Sequence, residues 1–129
     1  MDGLQQLIAL PGRIFIALVF LWIGYGKVTD FAGNVGYAAA AGMPLPEVGI
    51  AAAIVIELLG SLLLIIGYRT RLIALIMAAF ALATALIFHR DFSNYDQEVN
   101  FMKNLSIMGG LLQIVAFGGG RYSLDARRS

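Results

Sequence analysis

In a chain of 129 residues that is 60% hydrophobic and only 13% charged, the ionisable side chains inside apolar runs are the first candidates for chemistry. Glu57 stands near the middle of such a run. A carboxylate at the centre of a membrane span costs about 2.5 to 3.5 kcal/mol on insertion scales, so it needs a partner or a proton. Arg13, in the first apolar run, is the simplest partner, with Gln113 from the last run as a third member. The Arg13–Glu57 pair reads either as a structural lock or as a proton-handling or ligand-contacting site, and a Glu57 that carries its own proton is the third solution. Should the first helix start at Pro11, which favours a first turn, Arg13 instead snorkels to the headgroups.

A second group gathers around "FHRDFSNYDQEVNFMKN", Phe88–Asn104, which holds the single histidine of the chain. Lys27, His89, Lys103 and Asn104 all fall at the same end of their apolar runs, forming a ring of hydrogen-bond donors. Trp22 and Tyr25 lie at nearly the same level. Donors above an apolar interior suit a quinone, whose carbonyl oxygens accept hydrogen bonds and whose ring stacks on Trp22 or Tyr25. His89 is the candidate catalytic residue, donating a proton because its unperturbed pKa lies near 6.5, with Asp91 orienting it. The plainer reading makes interfacial Lys and Trp anchors, makes His89 a polar cap, and lets the small residues below close the helices together with no cavity.

The elements that must position these groups are apolar blocks. Residues 4–25, 48–67, 72–88 and 101–118 each approach the roughly 20 residues that span a bilayer core, so the sequence predicts an all-α membrane protein, a single domain with a bundle of four transmembrane helices. The first block lacks a basic n-region and a small-residue cleavage site, so it is read as a mature helix rather than a signal peptide. Arg69, Arg71, Arg121, Arg127 and Arg128, with Arg13, fall on one side and only Lys27, Arg90 and Lys103 on the other, which favours both termini inside. Between the first two blocks, Asp30 as an N-cap, an alanine-rich stretch, Gly42 and Pro44 predict a short interfacial helix.

Helical spacing assigns bundle-facing stripes. They are Arg13, Ala17, Phe20, Gly24 and Lys27 on the first helix and Gly49, Ala53, Glu57, Gly60 and Ser61 on the second. The third offers Ala74, Ala78, Ala81, Ala85 and His89, and the fourth Lys103, Ser106, Gly110, Gln113 and Phe117. Small residues on such stripes let helices approach in lipid.

Composition also excludes. The absence of cysteine removes thiolate metal sites, iron–sulfur clusters and covalent haem attachment, and one histidine cannot ligate a haem from both sides; neither metal nor haem is expected. A net charge of +1 gives no nucleic-acid footprint. The expected surroundings are the lipid bilayer, with a soluble or membrane redox partner and self-association both open.

"FLWIGYGKVTDF", "AAAAGMPLP", "VIELLGSLLLIIGYRTRLIAL", "FH" and "FMKNLSIMGGLL", in this order, closely resemble the DoxX family of membrane proteins. The resemblance covers nearly the whole chain and implies a four-helix protein of the bacterial inner membrane. It also implies links to sulfur or thiosulfate oxidation with quinone as acceptor, or to quinone and oxidative-stress responses. The expectation is therefore a quinone-linked oxidoreductase subunit or membrane anchor with no redox centre of its own. The alternative is a noncatalytic scaffold or carrier for a lipid-like ligand or a partner protein.

Overall fold

The computed structural model describes residues 2–128, and among them all regular structure is helical. Helix α1 (Gly3–Thr29) starts on a capping box: Asp2 Oδ1 accepts from the Gln5 N–H at 2.9 Å, and Gln5 Oε1 accepts from the Asp2 N–H at 2.8 Å. This satisfies two of the orphan donors of a helix start. The helix therefore begins well before Pro11, which lies inside it, and Arg13 sits in its interior rather than in a first turn. Asp30 ends α1 and caps α2 (Phe31–Ala40), accepting from the Gly33 N–H at 3.2 Å. Gly42, at φ +89°, takes the turn out of α2.

Helix α3 (Pro46–Ile66) carries a π-helical turn, Val55–Leu59, with Glu57 at its centre. A π-turn inserts one residue into the helical repeat and rotates the faces on either side of it. Residues 53, 57, 60, 61 and 64 all end up buried as a result. Gly67, at φ +76°, closes α3 and leads through a short turn into α4 (Thr70–Phe88). Then α5 (Tyr95–Phe117) opens earlier than its apolar block, because Asn94 accepts from the Asp96 and Gln97 N–H groups and Asp96 and Glu98 occupy the first turn. Acidic side chains there complement the positive end of the helix dipole. α6 (Leu124–Arg128) is one short turn beyond.

Three helices, α1, α3 and α4, are long and apolar enough to cross a membrane. The most extensive packing joins α4 to α5, while α1 packs chiefly on α3. On α4, Ala74, Ala78, Ala81 and Ala85 form the buried face together with Met77. Their small side chains leave room for Ile107, Leu111 and Ile114 of α5, and this cluster continues to Ala17, Phe20 and Leu64. The stripe expected on α5 is thereby corrected. Lys103, Ser106, Gln113 and Phe117 are exposed, because rotating α5 by about one residue sets its branched side chains against the alanine face.

The start of α1, the Gly67–Arg71 turn and the segment after α5 meet at one end of the bundle. The Arg121 N–H donates to Gln6 Oε1 at 2.6 Å. Asp125 accepts from the Arg69 N–H, the Thr70 N–H and the Thr70 hydroxyl, each at 2.7 Å, and so caps α4 from another segment. Ser123 lies where a Gly67 side chain would be, only 2.3 Å from an ideal Cβ. Arg13 completes this end from within: it donates to the carbonyls of Gly119, Ile65 (3.0 Å) and Tyr122 (2.7 Å).

Candidate ligand cavity

The anticipated Arg13–Glu57 pair is not formed. Arg13 is level with Ile65, and eight residues of helix separate Ile65 from Glu57, about 12 Å at 1.5 Å per residue. The partner of Glu57 is Lys27, whose Nζ lies 2.8 Å from Oε1; the carboxylate side chain is 1% exposed and the lysine 17%. Close helix approach sets this register. An ideal Cβ on Gly24 would fall 2.8 Å from Leu58 Cδ2 and 3.0 Å from Glu57 Cβ, so glycine brings α1 onto the π-turn and Lys27, three residues on, reaches across. The π-turn also engages Ser61, whose hydroxyl donates to the Glu57 carbonyl.

Above the pair lies a cavity of about 210 Å³ lined by α1, α2, α3, α4 and α5. Lys27 and Glu57 contribute from α1 and α3, Thr84 from α4, His89 from the end of α4 and Asn104 from α5. Phe20, Phe80, Phe88 and Tyr37 supply aromatic wall. Tyr37, on α2, stacks on Phe88 with centroids 5.4 Å apart, so the short helix is tied to α4 across the cavity. Asn104 Nδ2 donates to the Ala81 carbonyl at 3.1 Å and to Thr84 Oγ1 at 3.0 Å, and Thr84 Oγ1 donates to the same carbonyl at 3.0 Å.

Two polar atoms here are buried without a partner among the described residues: Glu57 Oε2 and His89 Nδ1. Most buried polar atoms in folded proteins are hydrogen-bonded, so two exceptions on residues lining one cavity make it the candidate site. Burial holds the His89 imidazole below its ordinary pKa, favouring the neutral ring. Asp91 does not orient it; its carboxylate accepts instead from the Ser93 N–H (3.1 Å) and hydroxyl (2.5 Å).

Of the residues singled out from sequence, the structure brings Lys27, Glu57, His89 and Asn104 together. Trp22 and Tyr25 are 77% and 60% exposed and do not line the cavity, whose aromatic surfaces are Phe20, Tyr37, Phe80 and Phe88. Lys103 is exposed and borders a shallow depression with Tyr95 and Glu98. Gln113 lies in a separate open groove between α1 and α5, beside Gly12 and Gly110. The sequence reading missed Tyr37, Phe80 and Thr84. For Thr84 a signal existed, since it lies three residues from Ala81 of the buried α4 stripe.

The family model for DoxX matches residues 8–90. The inner membrane protein YqjF of Escherichia coli K12 is 39% identical over 128 residues, covering 97% of this chain and 95% of its own length. The inner membrane protein YphA of the same strain is 34% identical over 128 residues, covering 95% and 91%. A surfeit locus protein 4 homolog of Drosophila melanogaster is 36% identical over 87 residues, 56% of this chain and 30% of that protein. No solved structure matches.

Proposed function

The chain belongs to the DoxX family, and from that premise we propose that its cavity binds the ring of a quinone-class molecule, as part of a quinone-linked oxidoreductase system. The protein itself is an integral, multi-pass protein of the bacterial inner membrane. The observation that carries the reading is the buried Lys27–Glu57 pair at the base of an aromatic-lined cavity with unpartnered polar atoms. A volume of about 210 Å³ is below the roughly 300 to 1,000 Å³ usual for drug-sized ligands. It suits one substituted ring, with any prenyl tail leaving between helices into lipid.

In this proposal α5 is a fourth crossing, both termini are cytoplasmic, and the cavity opens toward the outer leaflet. The clustering of Arg13, Arg69, Arg71 and Arg121 with the starts of α1 and α4 at one end, and of Lys27, His89 and Lys103 at the other, supports this by the positive-inside bias. Electrons would come from a partner, because the chain offers no motif for a bound redox centre. Lys27 holds the ring, and His89 moves a proton at its mouth.

A noncatalytic carrier or scaffold has one observation in its favour. The groove between α1 and α5 stays open over about 570 Å³ and is floored by Gly12 and Gly110, room for an acyl chain or a partner helix. Solvent extraction and mass analysis of protein purified in mild detergent separates the two readings. A stoichiometric quinone, lost in Lys27→Met, supports the oxidoreductase reading; bound phospholipid or a partner chain without quinone supports the scaffold.

A further inference from the structure

Resting on the quinone-class reading above, we infer that the cavity is built for the reduced form of the ring, the 1,4-diol, in preference to the quinone. The reason is an imbalance between donors and acceptors. A quinone offers only carbonyl acceptors and so needs free donors. In this cavity the amide and hydroxyl donors of Asn104, Thr84 and Asn34 are already engaged: Asn104 Nδ2 with the Ala81 carbonyl and Thr84, the Thr84 hydroxyl with the same carbonyl, and Asn34 Nδ2 with the Asp30 carbonyl. Lys27 gives one N–H to Glu57 and keeps the others.

One of the unsatisfied atoms can only accept. Glu57 paired to an ammonium is a carboxylate and can only accept, and its Oε2 is buried with no partner. A neutral His89 ring has one N–H and one acceptor nitrogen, and Nδ1, also unpartnered, is the acceptor when the proton sits on Nε2. A quinone carbonyl set beside Oε2 would place lone pairs against a carboxylate. A quinol hydroxyl set there donates to Oε2 while its oxygen accepts from the Lys27 ammonium, so one –OH satisfies both halves of the ion pair. The second hydroxyl, across a ring lying against Phe80 and the stacked Phe88–Tyr37 pair, would donate toward His89. The π-turn is what presents Glu57 in this way, consistent with the frequent occurrence of such turns at functional sites.

The test uses the full-length protein in mild detergent and three ligands of one shape, by anaerobic calorimetry against a detergent blank: durohydroquinone, duroquinone, and the dimethyl ether of the diol, which cannot donate. The expected result is at least tenfold tighter binding of the diol than of either other ligand. In Glu57→Gln, whose amide donates as well as accepts, the diol should lose most of that advantage. The wild-type series stands by itself should that variant fail to fold, as read by its melting curve. Equal affinities for diol and quinone, or tighter quinone, overturn the inference while leaving the cavity a quinone-class site. A preference for the diol that survives unchanged in a folded Glu57→Gln overturns the role given to the carboxylate. Binding of none of the three overturns the quinone-class reading and the inference with it.

Discussion

Arg13 and Glu57 are each 1% exposed within helices of the same bundle, yet their surroundings differ. Both Nη atoms of Arg13 are taken up by three backbone carbonyls from two other parts of the chain, leaving only Nε without a partner. Glu57 has one lysine on one oxygen and an open cavity beside it. A buried charge surrounded by permanent ligands is a fastener, because nothing need arrive to complete it. A buried charge with an idle atom beside a cavity is incomplete, and incompleteness is how a candidate site differs from a joint.

The largest effect that would sharpen this contrast comes from Lys27→Met, which leaves Glu57 buried without its counter-charge. Losing one partner of a buried pair costs about 3 to 5 kcal/mol, and the Lys27→Met, Glu57→Gln double variant should recover much of it. Thermal unfolding in detergent, run as a double-mutant cycle, measures the coupling. Additive losses would dissolve the pair.

Arg13→Gln should cost about 2 to 4 kcal/mol, since one amide cannot serve three carbonyls and each orphaned acceptor costs about 1 to 3 kcal/mol. Its quinol affinity should stay within twofold of wild type. A large drop in affinity with a small drop in stability would break the division between fastener and site. Next in size is Gly24→Ala, whose methyl meets Leu58 and Glu57; overpacking costs about 1 to 3 kcal/mol, and ligand affinity should fall with it as Lys27 is pushed out of register.

The smallest effect is a pH dependence at His89. Its folded-state pKa is lowered by burial, so the unfolded chain takes up the proton first as pH falls. The His89 contribution to stability is therefore complete above the unfolded value, near 6.5, and is lost as pH drops from there toward the folded value. Melting curves between pH 8 and pH 5 should show wild type losing more stability than His89→Gln. Parallel curves would mean that the ring is solvated.

Much of this was legible in the residues. The stripe Arg13, Ala17, Phe20, Gly24 and Lys27 on α1 needed only 3.6-residue spacing, and all but the lysine are fully buried. Asp30 and Gly42 announced α2 through their capping chemistry. The pairing of Glu57 was not legible, because periodicity gives a residue its face and leaves open its height against a neighbouring helix. That height depends on where Gly24 lets two backbones touch. Nor does a π-turn have a sequence signature, and the face of α5 was misread by following its polar residues, when the alanines of α4 call for the branched side chains opposite them. The start of α5 was there to be read in Asn94 followed by Asp96 and Glu98.

The clamp on Arg13 also has a consequence in time. Its carbonyl ligands at Gly119 and Tyr122 are 106 and 109 residues further along the chain, so at roughly 5 to 20 residues per second the arginine is made about 5 to 20 s before they are. Throughout that interval α1 is a membrane helix with an unmatched charge, one that neighbouring headgroups or a translocation partner must shelter. Only translation past Tyr122 closes this seam. Chains stopped before Gly119 should accordingly be recognised as unfinished and degraded, even with every long helix already inserted.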